Sequence, residues 1–203
     1  MASKTSLQDL LIRHIPAPAV PYCLDLWNRY PFELKIRKSR LTKAGDFCLR
    51  PGHNPVITLN NDLPPFLFLV TYIHEFSHHA VAIVYGNRPE PHGREWKAAF
   101  QTFMKPVLEM GIFPADLQLG LERHLIDPPA STFSDPVLSR LFIKYDPDKS
   151  GIRLVGHLKY GEIFRLRGKT LKRGELKRTR YTCTEAATGR TWLVPADLPI
   201  DPS

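Results

Sequence analysis

The 203-residue sequence predicts an α+β fold, with helices packed on a small antiparallel sheet and a small, basic, β-rich unit at the C-terminal end. Three observations predict it. A long apolar stretch, about residues 63 to 85, is too long for a strand and reads as one buried helix. Ahead of it, three short runs alternate at a period of two, the mark of half-buried strands. After residue 151 the composition turns basic and alternating, with glycines between the segments. The expected division is a core domain over 1–115, a helical and loop connector over 116–150, and the basic unit over 151–203.

In chain order, Ser6 is a candidate N-cap for a short helix ending near Arg13. A second helix runs from about Val20 to Tyr30, where Pro21 falls in the tolerant first turn. Glu33–Arg37, Ala44–Arg50 and Pro55–Asn60 alternate and follow one another closely, which predicts an antiparallel meander lying on the long helix. The breakers in Gly86-Asn-Arg-Pro-Glu-Pro91 end that helix and reverse the chain. A further helix begins near Arg94, and Pro106 is expected to end or kink it. Short helical patterns fill 117 to 145, split by Asp127-Pro-Pro129 and Asp135-Pro136. In the basic unit, Glu162–Arg167, Leu176–Thr184 and Arg190–Pro195 alternate as strands, with a turn at Thr188-Gly-Arg190.

The charge is local. Ten Lys and Arg against Glu162 and Glu175 give residues 151–181 a net charge of +8, equal to that of the whole chain; the remaining residues hold 18 positive and 18 negative side chains. Such a surface would offer phosphates a sequence-independent contact, with Tyr160, Tyr181 or Trp192 available to stack on bases. DNA is therefore the partner this segment brings to mind, although a solvated charged face fits the same composition. The longest apolar run, Pro64 to Ile73, has about ten residues against the ~20 needed to cross a bilayer, so no membrane partner is expected. The first residues lack the apolar core of a secretory signal, which reads as an intracellular protein. Three scattered cysteines, Cys23, Cys48 and Cys183, suggest buried thiols rather than disulfides or a zinc ribbon.

The chemistry is concentrated in His74-Glu75-Phe76-Ser77-His78. Helical residues advance about 100° each, so His74 and His78 share one face, one turn apart, and both imidazoles can reach one ion. Glu75 stands on the flank of that face, where it can hold a water on the metal without ligating. His79 lies about 140° round from His74 and reads as a supporting or surface residue. A catalytic zinc has three protein ligands and an open position. The third is His92, at the mouth of the next helix, or else Glu90 or Glu95. Gly93 would permit close backbone approach, and Trp96 could wall the pocket.

His74-Glu-x-x-His78 followed by His92-Gly-x-x-Trp96 resembles the SprT-like, Spartan-related metallopeptidase family over about residues 18 to 105. The resemblance implies a zincin-like fold, one Zn2+ held by His74, His78 and His92, and Glu75 as the catalytic acid/base in hydrolysis of peptide bonds, including those of DNA-bound or DNA-crosslinked proteins. It also implies an exposed edge strand that holds substrate as an added strand. The Cys-rich ribbon that follows this domain in many relatives is missing here, so a second zinc and that route to DNA do not carry over. Tyr72, Tyr85, His79 and Arg94 are the candidates for stabilising the oxyanion.

Overall fold

The computed structural model describes residues 6–38, 40, 43–86, 88–130, 136–146, 154–166, 168–178, 180–196, 198, 200 and 201. The chain forms two compact units, residues 1–148 and 149–203.

The first unit opens with α1 (Leu7–His14), closed by a reciprocal cap in which Ser6 Oγ accepts from the Asp9 amide at 3.1 Å and the Asp9 carboxylate accepts from the Ser6 amide at 3.2 Å. A 3-10 turn leads into α2 (Val20–Arg29). Strands β1 (Glu33–Arg37), β2 (Gly45–Cys48) and β3 (Val56–Asn60) follow, then α3 (Pro65–Tyr85), α4 (Arg94–Glu109), α5 (Ala115–Ile126) and α6 (Pro136–Lys144).

The α+β class is as expected, but the three strands do not form a meander. Their order is β1-β3-β2, with β1 parallel to β3 and β2 antiparallel to it, so the sheet is mixed. Burial explains the order. The last four residues of β3 are buried, including Ile57 and Leu59 with no exposed surface, whereas β1 and β2 are only partly covered. A strand buried on both faces belongs at the centre.

Helix α3 runs through the core. Phe68, Leu69, Val70, Tyr72, Ile73 and Phe76 are fully enclosed, packed with residues of α1, α2, β3 and α4 in one cluster. Its length and composition would let it cross a membrane, yet 67% of its most apolar window is buried inside the unit. It stops at Gly86, whose φ of 68° suits glycine. Pro106 does not end α4, which continues to Glu109. Nor is 116–150 a separate connector. Leu117, Leu121 and Leu125 of α5 and Leu138 and Phe142 of α6 belong to the first unit's core.

The second unit is an antiparallel sheet of β4 (Ile163–Leu166), β5 (Lys169–Lys177), β6 (Arg180–Glu185) and β7 (Thr191–Pro195), in that order. The expected strand Leu176–Thr184 is in fact the end of β5 and most of β6, joined by a hairpin. The turn had no Gly, Asn or Pro to announce it; Arg178 itself takes the left-handed conformation, φ 58°. Val155, Leu158, Phe164, Leu166, Leu171, Tyr181, Cys183 and Val194 form this unit's own core. Cys23 and Cys183 are buried free thiols, and Cys48 is half-buried.

Candidate functional site

His74 and His78 project from adjacent turns of α3, and His92 meets them from the reversal before α4. The Nε2 atoms of His78 and His92 are 3.0 Å apart, and those of His92 and His74 3.2 Å apart. His92 reaches this position by adopting φ 61°, in the left-handed region that a non-glycine residue seldom occupies. Gly93 makes the reversal tight: its amide donates to the Glu90 carbonyl at 2.9 Å, and a β-carbon on it would stand 2.9 Å from that oxygen. Trp96, 1% exposed, forms the floor. Its ring lies 4.6 Å from those of His74 and His92 and stacks on His78 at 5.3 Å, while its indole N–H points at the His74 carbonyl, 3.4 Å away.

These residues can hold a metal ion. Zinc–nitrogen bonds of about 2.0–2.1 Å at the tetrahedral angle place ligand nitrogens about 3.3 Å apart, close to the spacing here. The protonation states fit too. Burial above all, then the neighbouring imidazoles including His124, push the His74 pKa down to about 3; burial and His92 push His78 down to about 4; burial also lowers His92. Neutral rings are what ligation requires.

Glu75 is 7% exposed and stands outside the ligand group, on the flank facing β2. Burial, reinforced by the negative charge of Asp46, pushes its pKa up to about 8; the Phe47 amide N–H directed at its carboxylate, with Lys43 and Arg40, works the other way. Arg40 in turn is ion-paired with Asp46 and donates from Nε to Asn60 Oδ1 at 2.8 Å.

Glu90 and Glu95 are not part of the ligand group. His79, 1% exposed, points the other way, into a box of Phe32, Phe47 and Phe76 with ring separations of 5.4 to 6.2 Å. Burial lowers its pKa, opposed in part by the Tyr30 and Pro31 carbonyls, which face its ring without making a well-formed hydrogen bond. It therefore cannot meet an oxyanion, and neither can Tyr72, whose hydroxyl donates to the Cys23 carbonyl at 3.0 Å behind the helix. Tyr85 and Arg94 are exposed. Sequence reasoning missed His124, which is buried on α5 close enough to depress His74, and the Arg40–Asp46 pair beside Glu75. Both are distant in sequence from the motif and carry no local signature.

The basic unit sorts its cations by face. Lys169 pairs with the buried Glu185 carboxylate at 2.7 Å, Arg173 lies 3.8 Å over Tyr181, and Arg190 lies 4.6 Å over Trp192. On the opposite, exposed face, register aligns Ile163, Lys172, Thr184 and Thr191 in one row, Arg165 with Thr170 in a second, and Lys177 with Arg180 in a third. Tyr181 and Trp192, expected to stack on bases, are occupied on the inner side, and Tyr160 is exposed. Arg153 and Arg167 lie outside the described residues.

No family model matches the chain, and neither a curated protein nor a solved structure matches it. The fold and site define an α+β protein with a three-histidine group able to bind metal.

Proposed function

We propose that this protein is a zinc-dependent metalloendopeptidase in which Glu75 carries the proton. The observation that carries the reading is the convergence of three imidazoles, two from α3 and His92 from the reversal before α4, beside a buried carboxyl group that is not a ligand. The resemblance of His74-Glu-x-x-His78 and His92-Gly-x-x-Trp96 to SprT-like peptidases supports it. Zinc held by His74, His78 and His92 would supply a Lewis acid able to polarise a carbonyl and acidify water. Glu75 takes the proton from the attacking water and returns it to the leaving amine. Trp96 holds the three rings in place by contact with each.

Substrates would be proteins, and the exposed cations of the second unit favour proteins bound or crosslinked to DNA. A second reading shares that face: a DNA-binding module whose zinc is structural. A closed four-ligand site would favour it, whereas three histidines with an open position favour the peptidase.

The test compares the full-length chain with Glu75→Gln and His78→Ala. Glu75→Gln should keep its zinc and lose at least about 100-fold in cleavage of a DNA-bound basic protein, whereas His78→Ala should lose zinc itself. Cleavage by Glu75→Gln at the parent rate would overturn the proposal.

A further inference from the structure

We propose that β2 is the strand that aims Glu75, and that Gly45 is a positioning residue for it; the role rests on the reading of Glu75 as proton carrier. β2 is an edge of the sheet. The Asn60 amide donates to the Ala44 carbonyl at 2.9 Å. Hydrogen-bonded pairs alternate along an antiparallel ladder, so Gly45 and Phe47 turn their own amides away from β3, towards the free edge. That edge faces Glu75, and the Phe47 N–H is directed at its carboxylate.

Gly45 lets the strand come this close. A β-carbon there would lie 2.9 Å from Glu75 Cγ, 2.9 Å from Thr71 Cγ2 and 2.8 Å from Leu59 Cδ2. The backbone at Gly45 has no positive φ, so glycine is needed for space rather than for conformation. Two of the three obstacles are fixed. Leu59 has no exposed surface, and Thr71 is pinned by its hydroxyl donating to the Leu67 carbonyl at 2.7 Å. Glu75, the longest and most flexible of the three, is the side chain that would yield. The strand's own position is held from behind: the Asn60 side-chain Nδ2 donates to the Lys43 carbonyl at 2.9 Å, and Arg40 bridges Asn60 to Asp46. The histidines lie on another face of α3 and on the reversal after it, so moving Glu75 leaves them in place.

The experiment uses the full-length chain, with and without zinc, as parent, Gly45→Ala, Gly45→Ala/Thr71→Ser, Glu75→Asp and Glu75→Gln. Zinc affinity by chelator competition, exchange of the Phe47 amide by NMR, and kcat and KM on casein are measured. Gly45→Ala should bind zinc within about twofold of the parent, exchange the Phe47 amide about tenfold faster, and lose about 10- to 100-fold in kcat at little-changed KM, as expected for a misplacement of about 1 Å. Thr71→Ser keeps the bond to Leu67 but deletes one obstructing methyl, so it should restore part of both losses. Glu75→Asp, too short to reach Phe47 and free of any clash, should show the fast amide exchange even if Gly45→Ala does not fold. An unchanged Phe47 amide and kcat in Gly45→Ala, or an unchanged Phe47 amide in Glu75→Asp, would overturn the positioning role. Full activity of Glu75→Gln would instead remove the proton-carrier reading, while the Phe47 amide would still decide whether β2 and Glu75 are coupled.

Discussion

At the scale of single residues, burial lowers the pKa of all three histidines and raises that of the acid beside them. An unfolded histidine titrates at 6.5, whereas folded His74 and His78 titrate near 3 and 4. Below 6.5 the unfolded chain therefore binds more protons, and the metal-free fold loses stability as pH falls towards about 4. Glu75 has the opposite sign: its unfolded value is 4.5 and its folded value about 8, so it weakens the metal-free fold as pH rises between them. A divalent ion beside Glu75 would favour its ionised form. At pH 6.5, zinc uptake should consequently release about one proton, from Glu75 and not from the imidazoles. Calorimetry in buffers of different ionisation enthalpy measures this; release of two or three protons would show that the rings were charged, and Glu75→Gln should bring the value close to zero. The ligand pair was legible in the sequence because i, i+4 spacing on a helix fixes which side chains share a face. The influence of Asp46 on Glu75 and of His124 on His74 was not, because each joins groups about thirty or more positions apart in the chain.

Among the elements, α3 was the most legible, since continuous apolar character over that length leaves few alternatives. Strand order was not: alternation reports that a segment is half-buried and says nothing of its neighbour, and only the heavier burial of β3 places it at the centre. The hairpin at Arg178 lacks a turn residue in the sequence, so alternation alone does not separate β5 from β6 there. Between β1 and β2, the Asn60 side chain fastens Arg40 and Lys43. At 3% exposure, its amide donates to the Lys43 carbonyl and accepts from Arg40 Nε. Asn60→Ala leaves those partners with no replacement, and should cost about 1–3 kcal/mol in urea unfolding of the metal-free protein. A loss below about 0.5 kcal/mol would mean that β2 is held by other contacts.

For the molecule as a whole, the metal-binding group and the charge excess fall in different units: one carries His74, His78 and His92, and the other carries the excess of Lys and Arg. That segregation was visible in composition, but composition could not distinguish cations already paired with Glu185 or packed on Tyr181 and Trp192 from those facing outward. Lys177 and Arg180 are direct cross-strand partners, an arrangement of like charges that destabilises a sheet and that an anion would relieve. If Arg165, Lys172, Lys177 and Arg180 each contact a phosphate, affinity for duplex DNA should fall with salt at a log–log slope of about −3.6. Lys172→Glu/Arg180→Glu should reduce that slope by about 2 and weaken binding, without altering zinc content or the cleavage of a protein free of DNA. Lys105→Glu, on the exposed surface of α4, serves as the comparison. Fluorescence anisotropy with a labelled duplex between 50 and 200 mM salt would measure it, and a slope as steep in the double variant as in the parent would place DNA elsewhere or remove it as a partner.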